Sequence, residues 1–556
     1  MHGAAVKHLW NQGALRLKRQ HLLIGVSMLA LVAGGSALYI APLAMGPVSA
    51  KDCTTVLPPL PPLPHHPANV PEPHWSQRGG HVNDASCLSR TPVAGVVRVR
   101  TDADVATALR YVAAHGLTVS AAGVRHSMGG QAFRSGGVVL DMRGMDAIRL
   151  DPVARTVTVG AGATWHAIQL AIHPRFAVQA MQSTDIFSVG GSISVNAHGM
   201  DHRAGAVMGS LRHVTLMLAD GRIVTASRTK NADLFRHVVG GYGLFGVILS
   251  ATLDVVPNDV YRSGRERIDY RSFPETFRRI ASDPAVGLSY VHLSTAPDSL
   301  LREALVYTYS RHPEDQGLDR AALSEVAATR IRRLTVNLAK RNDLFKRVKW
   351  WSEKHLEHRF ERCTVSRAQA QGSGEACLVA RNDPMHDSVA YLANNLPGET
   401  DILHEYFVPR ARIIPFIDGM RTILQADHAN LVNASIRAVG REDNALSYAP
   451  EPAFSVVLYL NQPTTPQGTA AMRRLTSDLI DLCLREGGRF FLPYQLHYSP
   501  EQLARSYPEI DQFFAAKRAW DPHGVFSNSW YARYAPFFAK QPAAMRPSIT
   551  ADAPRT

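Results

Sequence analysis

The stretch Ala122-Gly123-Val124-Arg125-His126-Ser127-Met128-Gly129-Gly130-Gln131 holds an imidazole in the middle of a glycine-flanked turn. Glycine takes positive φ freely and lets a ligand come close to the backbone. Successive N–H groups in such a turn form a concave anion site, suited to a pyrophosphate. His126 can then lie beside a flat ring system or bond to it. Taken alone, the stretch reads first as a loop histidine that caps a carbonyl. A second stretch has the same character: Gln182-Ser183-Thr184-Asp185, then Gly190-Gly191-Ser192, then Asn196-Ala197-His198-Gly199. Small side chains dominate it, so it suits a second wall around a phosphate. His198 and Arg203 can touch the same anion, or merely pack the turn.

Four residues late in the chain can act on a substrate. Arg437 can hold a substrate oxygen or stabilise developing charge; a strand ion pair is the other reading. His497 can take a hydroxyl proton, because an imidazole titrates near working pH. A satisfied core histidine is its alternative. Tyr494 and Gln495 stand on the same expected strand, 490–497.

These groups need elements to position them. Residues 97–100 read as a strand, and Thr101 is a good N-cap for a helix with Asp102 and Asp104 in its first turn. Gly116 closes that helix, and the strand 117–121 leads into the His126 turn. Further strands are expected at 138–142 and 156–160. Thr164 should cap a helix over 165–172. Asp220-Gly221 between two apolar runs is a hairpin signal. Gly246, Val247 and Ile248 open a strand that ends at Pro257. Alternating short strands and helices make this an α+β domain. After Pro257 come strands at 289–294, 304–309, 402–408, 431–438 and 454–460, and a helix over 469–486. A last helix from Pro500 should run to Trp520, since Pro522 and Gly524 follow.

The 556 residues, 46% of them hydrophobic, suffice for one large or several ordinary cores. The net charge of +13 is spread along the chain, without a helix-turn-helix, finger or aromatic-basic sheet pattern. An anionic membrane surface is therefore preferred to nucleic acid as its partner. Residues 22–44 carry no charge and follow Arg16, Lys18 and Arg19. A run above about 18 apolar residues can span a bilayer, and the basic flank keeps the N-terminus inside. The competing reading is a signal peptide cleaved near Val48-Ser49-Ala50. The anchor reading gives an inner or plasma membrane protein, single-pass, its folded part periplasmic or extracellular. The five cysteines show no metal spacing; in an oxidising compartment Cys53–Cys87 and Cys363–Cys377 can pair, leaving Cys483 free.

The expected layout is a basic N-terminus at 1–20, a transmembrane anchor at 21–45 and a proline-rich linker at 46–74. A first domain follows at 75–258 and a second at 259–510, the latter with a basic helical insertion at about 319–362. A segment at 511–536 and a loose tail at 537–556 close the chain. The insertion reads as a solvated helix pair packed by Leu334, Leu338, Phe345 and Leu356; Trp350-Trp351 beside Lys and Arg also suits a lipid interface.

In that order the pieces resemble a family. Residues 88–258 resemble the flavin-binding domain of the vanillyl-alcohol oxidase / p-cresol methylhydroxylase (PCMH-type) superfamily. The likeness rests on the turn Gly123-Val124-Arg125-His126-Ser127, on Ser183-Thr184-Asp185 with Gly190-Gly191, on Asn196 with Gly199, and on Gly246-Val247-Ile248. The segment Asp521-Pro522-His523-Gly524-Val525-Phe526-Ser527-Asn528 resembles the family's return to the flavin domain. The Arg-His-Ser form is similar to alditol and aldonolactone oxidases, D-arabinono-1,4-lactone oxidase among them. So are Glu405-Tyr406-Phe407-Val408-Pro409 and Ser435-Ile436-Arg437.

The resemblance implies an α+β fold: a two-part FAD-binding domain plus a substrate (cap) domain with an antiparallel sheet. It implies FAD, linked through the flavin 8α-methyl to His126. It implies FAD contacts from Gly123 to Met128, Gln131, Ser183, Thr184, Asp185, Gly190, Gly191, Ser192, Asn196, His198, Gly199, Gly246, Ile248 and Asn528. The activity implied is oxidation of a CH–OH group of a sugar, polyol or lactone, with oxygen, a quinone or a cytochrome as acceptor and no metal. The chain departs from the alditol-oxidase pattern in two places. Ser435 stands where a glutamate is expected, and His497-Tyr498-Ser499-Pro500 lacks the lysine of the His-Trp-x-Lys signature. Two alternatives follow: an oxidase of a lipid-linked sugar with non-covalent FAD, or a flavin electron-transfer or binding subunit.

Overall fold

The computed structural model describes residues 70–312, 329–356, 378–387, 389–392 and 394–538, together with 322–323 and Leu43. Three sheets carry the architecture. The first has the order Trp75–Arg78, Gly95–Arg98, Val138–Asp141, Val119–Ala122. Its last three strands are parallel, joined by the helix Asp102–Ala114. Thr101 and Asp104 form a reciprocal capping box at that helix, which fixes where the chain leaves the sheet.

The second sheet runs Ile223–Ser227, Leu211–Met217, Val247–Pro257, Thr156–Gly160, Ile148–Asp151. Its hairpin turns at Gly221, whose φ of 83° suits glycine. Thr164 caps the helix Trp165–Ile172 through its side chain.

The third sheet has eight antiparallel strands. Its centre is Val286–Leu293, Leu431–Val439, Ala453–Pro463 and Glu399–Pro409. His292 pairs with Ser435, Ser435 with Val457, and Val457 with Glu405, so one register row crosses four strands. Side chains two apart share a face, so this row and its neighbours at Asn433, Arg437 and Tyr459 make a floor. One apolar cluster runs through all three sheets. The segment after the last long helix adds to the first sheet: Val119 N–H donates to Val525 O, and Ser527 N–H to Val119 O.

Several expectations need correction. The strand expected at 490–497 is only Arg489–Phe490. Pro493 has no N–H to extend a ladder, so Tyr494, Gln495 and His497 lie on a loop. The last helix is two, Pro500–Ser506 and Ile510–Trp520. Pro508 between them cannot donate and forces Tyr507 out of the helical region.

In the basic insertion the helices are Thr329–Arg341 and Asp343–His355, divided by Asn342 as N-cap. The tryptophan pair is split. Trp350 is buried and its Nε1 donates to Glu303 Oε2 at 2.6 Å, whereas Trp351 is 52% exposed. Cys87 is disulfide-bonded and Cys483 is free and buried. Cys53, Cys363 and Cys377 lie outside the described residues. Among the described residues no helix is long and apolar enough to cross a membrane. The expected anchor lies outside them except for Leu43.

Candidate active site

A cavity of about 620 Å³ opens between the two glycine turns and the floor of the eight-stranded sheet. Gly123, Val124, Arg125, His126, Ser127, Met128 and Gln131 form one wall. Ser183, Thr184, Gly190, Gly191 and Ser192 form a second. Gly246, Ile248 and Asn528 close it at one side.

The walls are tight because their glycines are in contact. A β-carbon on Gly123 would sit 1.9 Å from Ser188 Oγ, and one on Gly129 would sit 2.2 Å from the Tyr494 carbonyl oxygen. Arg125 takes a positive φ of 55° at the turn. The buried Asp84 carboxylate accepts the Gly130 N–H at 2.7 Å and pins the turn from behind. His126 meets Phe187 edge-on, with ring centroids 5.1 Å apart. Burial lowers its pKa to about 4, so the ring is neutral at neutral pH.

The floor is made of side chains. Glu405 Oε1 accepts from His198 Nε2 at 2.6 Å and from the Ser455 hydroxyl at 2.5 Å. Glu405 Oε2 accepts from the Tyr494 hydroxyl at 3.1 Å. Burial pushes the Glu405 carboxyl upward, but His198, the hydrogen bonds and Arg437 outweigh it and hold it below the usual carboxylate range. Burial lowers the Arg437 pKa, with Glu405 opposing. A guanidinium starts so high that it stays charged. Its Nε is buried and has no partner. Tyr290, His292, Asn433 and Ser435 complete a polar lining.

The structure brings the turn residues, His198, Arg437 and Tyr494 to one cavity and leaves other expected residues outside it. His198 lines the cavity through its pair with Glu405 and belongs to the floor rather than to an anion cradle. Arg203 donates to the carbonyls of Asp283 and Val286 and ties a loop to the sheet. Asp185 is fully buried and faces His166 and His386. Asn196 accepts the Met208 N–H and donates to Glu442 Oε2 at 3.0 Å, which stabilises its turn at a φ of 49°. Gly199 is needed for packing, since a β-carbon there would lie 1.9 Å from the Met181 oxygen. Gln495 and His497 do not line the cavity.

Sequence reasoning did not assign Glu405, Tyr290, His292, Asn433 or Ser435 to the site. Alternation along the strand from Arg437 carries the signal for Ser435 and Asn433. Glu405 stands in a motif already singled out, but its partners come from 207 and 50 residues away in the chain.

Residues 93–227 match the family described as FAD binding domain. Decaprenylphosphoryl-beta-D-ribose oxidase of Mycolicibacterium smegmatis is 25% identical over 81% of this chain and 94% of its own length. Cytokinin dehydrogenase 2 of Arabidopsis thaliana is 24% identical over 80% of this chain and 90% of its own. An uncharacterised oxidoreductase of the fasciation locus of Rhodococcoides fascians is 35% identical over 32% of this chain and 42% of its own.

Proposed function

The chain carries the FAD-binding domain of the PCMH-type superfamily of oxidoreductases, and from that premise we propose that it oxidises a CH–OH group of a sugar, polyol or aldonolactone. The residues fit the cofactor. Gln131 Oε1 and Ser183 Oγ are buried without partners and both line the cavity. Gly190 and Gly191 keep the second wall open to a phosphate. His126, as a neutral imidazole, is the nucleophilic form needed to carry the flavin covalently. FAD, when bound, supplies the two-electron acceptor for the hydrogen lost by the substrate carbon.

The chain's own groups handle the oxygen. Arg437 holds the substrate oxygen and stabilises negative charge as the hydroxyl proton leaves. Tyr494, already donating to Glu405, relays that proton to the carboxylate, which His198 and Ser455 hold in place. The polar floor favours a polyhydroxylated substrate over an apolar one. The observation that carries this reading is the unpartnered Arg437 Nε, buried beside an ionised Glu405 in the cavity that also holds His126.

The test is anaerobic reduction of the flavin by a panel of polyols and aldonolactones. Bleaching by at least one supports the reading; none by any member sinks it. A second reading, an oxidase of a lipid-linked sugar with non-covalent FAD, is supported by the length of the match to the Mycolicibacterium relative. Acid precipitation separates the two. Flavin in the pellet, lost in His126→Ala, supports covalent attachment; flavin in the supernatant favours the second reading. An anchor at 21–45 with the folded part outside the membrane, and a quinone, cytochrome or oxygen as acceptor, complete the proposal.

A further inference from the structure

Behind the second wall lies a cluster that the proposed oxidation does not use. Asp185 is fully buried between two histidines. Its Oδ2 lies 2.9 Å from His166 Nδ1 and 3.0 Å from His386 Nδ1. The two rings stack, with centroids 4.7 Å apart and planes 17° apart. One donor atom from each residue lies within 4.8 Å of the others. Gln169 Oε1 is also 3.0 Å from His386 Nδ1.

Protons alone account poorly for this arrangement. His386 Nδ1 has two oxygens at 3.0 Å and at most one N–H to give them. Asp185 Oδ1 is buried with no partner while Oδ2 serves both rings. A buried carboxylate so placed asks for a concentrated positive charge. We propose that His166, Asp185 and His386, with Gln169 alongside, bind one divalent first-row transition-metal ion.

Two imidazoles and a carboxylate are the ligand types for Zn²⁺ or its congeners, whereas Mg²⁺ and Ca²⁺ prefer all-oxygen sets. The two separations from Asp185 Oδ2, 2.9 and 3.0 Å, are close to the roughly 3.0–3.4 Å that metal–ligand bonds of about 2.1 Å produce between adjacent ligands, and small side-chain adjustments would seat an ion. The ion also has a structural task. His166 and Gln169 stand on the helix Trp165–Ile172, and Asp185 lies in the loop that gives Thr184 and Ile186 to the cavity. His386 belongs to the segment that gives Pro384, Asp387 and Tyr391 to the cavity. One ion therefore fastens that segment to the FAD-binding part and sets the cavity wall. This inference is independent of the substrate reading.

The test uses the untagged, flavin-bound full chain, stripped with chelator and titrated with Co²⁺ in visible light. The expected result is a saturating d–d band at one equivalent, displaced by Zn²⁺. The variant His166→Asn should weaken Co²⁺ binding at least about 100-fold. His166 is 31% exposed, so that variant should fold, and an unchanged far-ultraviolet circular dichroism spectrum checks it. Zn²⁺ should raise the thermal midpoint of the wild type and not of the variant. No saturable band in the wild type would reduce the cluster to a hydrogen-bonded triad and overturn the proposal. A band kept at full affinity in His166→Asn would place the metal elsewhere and overturn it equally.

Discussion

The two sides of the cavity are built by different means. The glycine-turn side presents backbone N–H groups and glycines, with side chains such as Arg125, His126 and Met128 set between them. The sheet side presents a register row of side chains from four strands. A backbone wall is specific for a cofactor common to many substrates, because amide groups vary little. A side-chain floor can change at every second position without disturbing the ladder. Relatives named for a ribose derivative and for a cytokinin match most of this chain at 25% and 24% identity. On the proposed reading, cofactor and substrate meet separate surfaces.

The largest effect should come where the two sides touch. Gly129→Ala puts a β-carbon 2.2 Å from the Tyr494 carbonyl oxygen, which is backbone and cannot rotate away. We expect the variant to purify with little or no flavin, read from the ratio of visible to ultraviolet absorbance. Full flavin content would break the claim that the turn wall is rigid. On the floor, Arg437→Met should keep the flavin but lose about 10³-fold in kcat/KM, about 4 kcal/mol. Equal loss of flavin in that variant would erase the division of labour. Glu405→Gln should cost less, about 10²-fold in the rate of flavin reduction, since one proton acceptor is replaced by a neutral isostere. A reduction rate within a few fold of wild type would remove Glu405 from the proton path.

The same contrast explains what the sequence revealed. The glycine wall was legible because its signals are local: Gly123, His126 and Gly190-Gly191 are read within a few residues of one another. Thr101, Thr164 and Asp220-Gly221 marked element ends for the same reason. The floor was legible only in part. Arg437 could be named, but its neighbours depend on which strands pair, and His292, Ser435, Val457 and Glu405 meet only through register. His198 was assigned by its nearness to a glycine turn, yet its partner lies 207 residues on. Gln495 and His497 were carried by an expected strand that Pro493 forbids.

The smallest effect concerns stability, and it sharpens the contrast from the far side of the sheet. His404 is buried between the sheet and the helix Pro466–Arg485, with Nδ1 3.1 Å from the Tyr406 hydroxyl and Nε2 3.4 Å from Thr476 Oγ1. Burial, helped by His497, lowers its pKa to about 3. The unfolded chain regains the ordinary histidine value of about 6.5. Between these values the unfolded state binds more protons, so stability falls as the pH drops. By pH 5 this one residue should cost up to about 2 kcal/mol relative to pH 8. His404→Gln should be less stable than wild type at pH 8, and the gap should narrow towards pH 5, measured as thermal midpoints. Parallel midpoint curves for the two proteins would mean that His404 takes no part in acid sensitivity, which must then arise at other histidines such as His126 and His497, whose pKa values burial shifts in the same direction.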